Sequence, residues 1–185
     1  MRRALPWVIG GVLVIAAGAV TAVTPDDESL VGPTVQRGSF GDAIGSRTLI
    51  ATASEATFAD EVAVPSSDWS AEGNWLVVTV VASAPTTEVD AAIPLATLVV
   101  GDRVFQASER PSASLIATPL RVGIDTIGML AFELPPDVDS GTAELRLTTS
   151  YFTTELDDLV AIPFSLDDLP RTPSLELTDS ELVAP

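Results

Sequence analysis

The residues available for chemistry in this sequence are carboxylates and hydroxyls. There is no histidine, cysteine or lysine, and all nine basic residues are arginine. The serine triad, the cysteine nucleophile, the Ser-Lys mechanism and the common zinc sites therefore each lack a necessary member. What remains is carboxylate chemistry, for which the sequence offers one motif and two acidic pairs.

The motif is Asp139-Ser140-Gly141, which has the letters of an aspartic protease loop. Such enzymes use two carboxylates that share a proton to activate water. There the motif follows an apolar strand, whereas here it follows the turn-forming segment PPDVD. Because Asp, Ser and Gly are common in turns that precede strands, the pattern favours a turn. We predict no catalytic residue and no enzymatic activity.

The acidic pairs lie in two copies of the segment LDDL, at residues 156–159 and 166–169. Clustered carboxylates are ligands that calcium prefers, but neither pair has the alternating spacing of a calcium loop. The pairs are more typical of solvated loop acids that discourage strand pairing at a sheet edge. We predict no metal and no cofactor, with calcium as the alternative. Candidates for partner contact are Asp157, Asp158, Asp167 and Asp168.

The tryptophans have different expected roles. Trp69 lies in a polar segment, where it either contacts a glycan or protein partner or is partly buried under the loop. Trp75 opens the most apolar strand and is expected in the core. Trp7 suits the cytoplasmic interface of a membrane. Trp69 therefore joins the four aspartates as a candidate contact residue.

Charge is distributed unevenly along the chain. The net charge is −17, and every acidic residue lies from Asp26 onward. Beyond Arg2 and Arg3 the chain carries seven arginines against 26 acids, a net charge of −19. Such a surface repels nucleic acid and anionic lipid headgroups and attracts cations or basic partners. Nucleic-acid binding is therefore excluded. The use of arginine alone, with abundant Ala, Val, Asp and Pro, is typical of GC-rich genomes such as those of actinobacteria.

The N-terminus predicts export. Residues 1–3 form a basic end, and residues 4–24 carry no charge and suit either a transmembrane anchor or a signal peptide. An anchor would leave the N-terminus in the cytoplasm and the C-terminal domain outside a cell membrane. Small residues near Ala22 suit cleavage and secretion instead. Residues 25–40 are polar and aperiodic and predict an extracytoplasmic linker.

The elements that must position these residues are β-strands. Residues 75–82 are apolar on both faces, which predicts a central strand. Gly101-Asp102 separates two β-rich runs and predicts a tight hairpin. In residues 142–148 the even positions are predicted to face water, including Thr148, while Ala143, Leu145 and Leu147 face a core. Pro163 predicts an edge strand.

Together these runs predict an all-β antiparallel sandwich of seven to eight strands over residues 41–168. Residues 59–73 are predicted to be a loop between two strands. Residues 169–185 form an acidic tail that either adds a strand or stays loose.

The order of these segments resembles a known family. GDAIGSRTLIATASEATF, WLVVTVVASAPTTEV, LVVGDRVFQAS and LRVGIDTIGMLAFELP resemble a domain of unknown function in exported or membrane-anchored proteins of Gram-positive bacteria. That domain is immunoglobulin-like and related to mycobacterial secreted immunogenic proteins. The resemblance covers residues 38–165, and it departs from the family where a lipid-bearing cysteine is often found. It implies an accessory or interaction module and supplies no catalytic residue.

The sequence therefore predicts a non-enzymatic, membrane-anchored extracytoplasmic domain. Its membrane contact would be the N-terminal helix, and its partner another envelope or membrane protein. The alternative is a calcium- or ligand-binding sensor subunit of a transporter or signalling complex.

Overall fold

The computed structural model describes residues 10, 12–16, 18, 32–150 and 157–183. The chain divides into two compact units, Met1–Gly32 and Pro33–Pro185. In the first unit, residues 10, 12–16 and 18 are α-helical. Among the residues described, no helix has both the length and the apolar character needed to cross a membrane. The predicted anchor or signal segment, residues 4–24, falls largely outside the described residues.

The second unit is built from β-strands, eight of them at least four residues long. These are β1 (Thr34–Arg37), β3 (Ile50–Val64), β4 (Trp69–Ser83), β5 (Leu95–Val100), β6 (Arg103–Gln106), β7 (Asp125–Leu134), β8 (Thr142–Thr148) and β9 (Asp158–Ser165). Four shorter strands are β2 (Ile44–Gly45), β10 (Arg171–Thr172), β11 (Leu175–Glu176) and β12 (Glu181–Val183). The all-β prediction is confirmed.

The strands form two sheets. One has the order β1-β9-β8-β5-β6, and the other has the order β10-β3-β4-β7-β12 with β2 and β11 also paired to β3. Three of the pairs are parallel, namely β1 with β9, β10 with β3 and β11 with β3. The prediction of a purely antiparallel sandwich is therefore corrected to a mixed one.

The main core lies between the two sheets. Alternate residues of β4, such as Leu76 and Val78, pack with Phe132 of β7 and with Leu145 and Ile162 of the other sheet. The prediction of a central strand at residues 75–82 is confirmed, since β4 pairs with β3 on one side and β7 on the other. The hairpin at Gly101-Asp102 is also confirmed, because Val100 pairs with Arg103.

A second, smaller core covers the outer face of β3 and β4. Trp75 and Val77 pack there with Val62, Val64 and Leu177. This explains why β4 is apolar on both faces: one face meets the opposite sheet, and the other is covered by the C-terminal segment. It also explains why residues 59–64 and 69–73 are strands and not the predicted loop, because their apolar positions have a surface to bury against.

Two predicted boundaries change because the segments beyond them pair with strands of the sheets. Residues 34–37, placed in the linker by the sequence, pair with β9. Residues 171–183 of the predicted tail supply β10, β11 and β12. In both segments, backbone groups that would otherwise be unpaired extend a sheet.

Two predictions about single strands change in part. β9 is not an edge strand along its first half, since β1 covers it as far as Ala161, but its second half has no strand on that side among the described residues. Pro163 lies just beyond that point, so its missing N–H leaves no bond to β1 unmade. Thr148 is buried and not facing water. It pairs with Leu95 of β5 at the end of the sheet, and its hydroxyl oxygen accepts a hydrogen bond from the Ser150 N–H at 3.2 Å.

The two buried threonines Thr126 and Thr148 provide a matched test of hydrogen bonding in this fold. Among the described residues, the Thr126 hydroxyl has no hydrogen-bond partner, although the residue is only 2% exposed. Thr126→Val should therefore leave the free energy of unfolding unchanged or raise it by up to about 1 kcal/mol. Thr148→Val deletes an acceptor and should lower it by about 1 kcal/mol. Urea denaturation of the full chain measures both, and a larger loss for Thr126→Val would contradict the assignment.

Candidate functional site

Trp69 is the first residue of β4 and is half-buried, so it does not project from a loop. Its ring packs edge-on against that of Trp75, with centroids 6.4 Å apart. The Arg110 guanidinium lies over both rings, 5.7 Å from the Trp69 centroid, and forms an ion pair with Glu133 at 2.8 Å. Trp75 is fully buried, as predicted. The outer-face core therefore accounts for most of the Trp69 surface.

Asp158, predicted to be a solvated loop acid open to a partner, is buried at the start of β9 and only 3% exposed. Its carboxylate accepts hydrogen bonds from the Arg47 backbone N–H at 2.6 Å and from Arg47 Nε at 3.1 Å. Asp157 is half-buried, and its Oδ1 accepts the Asp158 backbone N–H at 2.8 Å. A buried, fully bonded carboxylate is unavailable to a partner, so Asp158 is a structural residue.

The second pair is exposed. Asp167 accepts the Gly141 backbone N–H at 2.8 Å and the Ser165 hydroxyl at 3.1 Å. These bonds tie the turn before β8 to the end of β9. Asp168 is exposed on the same turn. The structure therefore does not bring Asp157, Asp158, Asp167 and Asp168 together, because the two pairs lie at opposite ends of β9.

Asp139-Ser140-Gly141 is a turn, with Gly141 at a φ of +92°. Asp139 lines an open cavity of about 550 Å³, together with Asp60 and Arg171. Asp60 is bound to the Arg171 guanidinium at 2.8 Å, which differs from the proton-sharing carboxylate pair of an aspartic protease. Within the described part of the chain, no group of three or more Asp or Glu side chains is arranged to hold a metal ion.

A different region has the features of a binding site, at the end of the sandwich where β4 and β8 finish. A cavity of about 220 Å³ opens there. Its described lining contains four threonines and two aspartates, and none of these lining residues is basic. The lining residues are Thr48, Pro85, Thr86, Thr87, Val89, Asp90, Ala91, Thr149 and Asp157. Such a lining offers hydroxyls and carboxylates to a neutral or cationic group.

Exposed apolar side chains gather at the same end. The described domain has six exposed large hydrophobic residues, and five of them lie here: Val89, Val122, Ile124, Leu182 and Val183. The backbone pairings place these residues at this end. Val122 forms a β-bridge with Ala84, which follows β4, and Val183 pairs with Asp125 at the start of β7. We call this cavity with its five apolar neighbours the interaction end. A cluster of this kind is typical of a protein-binding surface.

Glu88 holds the two loops of the interaction end together. One carboxylate oxygen accepts Arg121 Nη1 at 2.8 Å, and the other accepts the Val122 backbone N–H at 3.1 Å. The hydrogen bond from Arg121 is the main cause that lowers the pKa of Glu88, aided by the bond from Val122. The carboxylate therefore stays charged below the ordinary glutamate pKa of about 4.3.

The sign of the pKa shift predicts when this contact opens. Because the folded-state pKa is lowered, the stability that Glu88 contributes is complete above its ordinary pKa and is lost as pH falls through the lower folded value. An NMR titration should show the Val122 amide shift with a midpoint below about 4.3. Glu88→Gln should abolish that titration. A midpoint at or above the ordinary value would contradict the contact.

Every arginine among the described residues of the domain is paired with a carboxylate. All seven described arginines, Arg37, Arg47, Arg103, Arg110, Arg121, Arg146 and Arg171, lie within ion-pair distance of a carboxylate. Glu144 takes two of them. Burial raises its pKa, but the bonds and charges of Arg146 and Arg37 together lower it.

Six of the 22 described Asp and Glu residues form these ion pairs. Sixteen carboxylates therefore have no arginine partner in the described part of the chain. The unmatched surface charge is anionic, as the sequence predicts.

Sequence reasoning missed the interaction end because its members are dispersed from Thr48 to Val183. One local signal was present: the stretch SAPTTEV after the central strand supplies Pro85, Thr86, Thr87 and Val89 of the site. Taken alone, it is also typical of an ordinary loop.

Comparisons with known proteins place few constraints on this chain. No family model matches it, and no curated protein matches it. Among solved structures, it is similar to that of a putative lipoprotein from Staphylococcus aureus subsp. aureus NCTC 8325. The identity is 14%, the match covers 75% of this chain and 97% of that one, and the TM-score is 0.46.

Proposed function

We propose that this chain is an extracytoplasmic accessory module, anchored or secreted, that binds a basic protein of the envelope or membrane. Its mixed sandwich would be a variant of the immunoglobulin-like domain. The observation that carries the proposal is the gathering of five of six exposed large apolar side chains at the interaction end. Exposed apolar residues scattered singly are common on soluble domains, whereas their concentration at one end favours an interface.

Charge supports a basic partner. The arginines of the described domain are already paired within it, so an acidic partner would meet no available cation there, whereas sixteen carboxylates could pair with a basic one. Complementary charge would increase the rate of encounter and would oppose association with nucleic acid or anionic lipid. The partner would combine an apolar centre with a basic periphery.

Site-directed photo-crosslinking in cells that make the protein tests this proposal. A photo-reactive residue at Val89, which is 77% exposed, should yield a covalent adduct with a second polypeptide. The matched control is Asp102, also exposed but at the far end of the sandwich, where β5 turns into β6. Recovery of the chain alone at every growth stage, or the same adduct from both positions, would reject the proposal.

The cavity of the interaction end favours a second candidate, a sensor subunit for calcium or a small hydroxylated amine. Thr86, Asp90 and Asp157 supply oxygen atoms suited to either. Titration calorimetry with calcium chloride and with glucosamine tests this candidate. If the candidate is right, one of the two probes gives a saturable heat of binding that Asp90→Asn abolishes. The absence of a heat of binding with both probes rejects the candidate.

A further inference from the structure

Strand β12 forms one border of the interaction end. It pairs with β7 over residues 125–127 and is the last strand of its sheet in the described structure. Farther along the same side of β7, the carbonyls of Met129 and Ala131 accept the backbone N–H groups of Leu115 and Ser108. That part of the edge is covered by a loop. Among the described residues on that side of β7, β12 is therefore the segment that presents regular strand backbone outward.

Its side chains are unusually apolar for such a position. Leu182 is 60% exposed and Val183 is 44% exposed. Leu182 stands opposite Thr126 in the register, so it lies on the same side of the sheet as Ile124, another exposed apolar residue. Edge strands are commonly protected by charged side chains, proline, a bulge or shortness. β12 is short and carries Glu181, but it has no lysine, proline or bulge, and its other two residues are apolar and exposed.

The other borders of the two sheets are better protected in the described structure. The outer side of β3 is occupied by β2, β10 and β11. On β6, Arg103 lies over the Phe105 ring and is bound to Asp137 at 2.7 Å. Among the described residues, β1 exposes no large apolar side chain and β6 exposes one, Val104, at the far end of the sandwich. β12 differs because it exposes two apolar side chains beside the interaction end, which makes it the edge where another strand could be added.

The charges around β12 decide what kind of strand would fit. Glu181 lies on it, Asp179 precedes it and Asp125 pairs with Val183. None of these carboxylates has an arginine partner among the described residues. A second copy of this chain would bring the same acids face to face, which disfavours self-pairing. A basic strand would neutralise them.

We propose, building on the function proposed above, that β12 is a docking strand to which the partner adds an extended segment of alternating apolar and basic residues. Main-chain hydrogen bonds would supply the pairing, while Leu182, Val183 and Glu181 would select the side chains. Because β12 is three residues long, the contact is small, and it is of the weak and transient class.

Peptide binding to the full 185-residue chain in nonionic detergent tests the docking strand. The probe is a heptapeptide of alternating arginine and valine, compared with its fully N-methylated form and with an alternating glutamate and valine peptide. The first should bind and should slow amide hydrogen exchange in β12 at whichever of Leu182 and Val183 has its N–H directed away from β7, because successive N–H groups of a strand point to opposite edges. The other two should bind at least about tenfold more weakly, since one lacks strand hydrogen bonds and the other carries the wrong charge.

Two substitutions that change the charge by the same amount test whether the peptide binds at β12. Glu181→Arg should weaken binding of the arginine-valine peptide at least about tenfold, whereas Asp102→Arg at the far end should change it by less than about twofold. Equal binding of the N-methylated peptide, or unchanged exchange at Leu182 and Val183, would overturn the docking strand. If Val89 still crosslinks to a partner in that case, the proposed function stands and the strand-addition mode alone is wrong.

Discussion

Trp75→Ala should lower the free energy of unfolding by about 3–5 kcal/mol, the range for deletion of a large buried aromatic side chain. Trp75 is fully buried on the outer face of β4. There it belongs to the same hydrophobic cluster as Leu177 of the C-terminal segment that covers this face. Its removal would leave a cavity between the sheet and that segment. Urea denaturation of the full chain, followed by far-UV circular dichroism, measures the loss.

Two further variants assign the cause of that loss. Trp75→Phe should recover most of the stability, because the indole N–H has no hydrogen-bond partner among the described residues and its loss breaks no bond. Trp69→Ala removes a half-buried ring of the same cluster and should cost less, about 2 kcal/mol. Equal losses at Trp69 and Trp75, or a loss below about 1 kcal/mol at Trp75, would contradict the outer-face core.

Asp158→Ala should lower the free energy of unfolding by about 3 kcal/mol, as expected when one partner of a buried ion pair is removed. The Arg47 backbone N–H would lose its acceptor at 2.6 Å, and the anchor between the start of β9 and the loop before β3 would be lost. The estimate is at the low end of the range because the Arg47 side chain is 71% exposed and its guanidinium can regain water.

Asp168 is the matched control, since it holds the same position in the second LDDL segment. Asp168→Ala changes an exposed residue and should alter stability by no more than about 0.5 kcal/mol. Arg47→Met should give an intermediate loss, because it removes the ion pair and leaves the backbone N–H bond to Asp158. Equal effects at Asp158 and Asp168 would show that the two acidic pairs are equivalent, contrary to the structure.

The two acidic pairs also show why the site could not be predicted from local patterns. In the sequence they are the same four letters. Asp158 is buried because Arg47, 111 positions earlier, supplies its hydrogen bonds. Asp168 has no such neighbour among the described residues and stays exposed. Spacing within a segment carries no information about a partner at that separation.

The same distinction applies to the fold. The sequence by itself determined the strand character of the domain, the central position of β4 and the hairpin at Gly101-Asp102. Each of these depends on neighbouring residues alone: side chains that alternate between two faces, or a glycine that permits positive φ. It also determined the acidic surface, since 26 acids exceed the arginines available to pair with them.

Only the tertiary structure decided how the ends of the chain are used and where the apolar surface gathers. Strands β1 and β12 join the sheets because the edges of β9 and β7 accept their backbone groups. Val89, Val122 and Leu182 lie at the same end because the chain segments that follow β4 and precede β7 meet there and β12 pairs with the start of β7. Such convergence follows from long-range pairing and burial, which a single stretch of sequence does not specify.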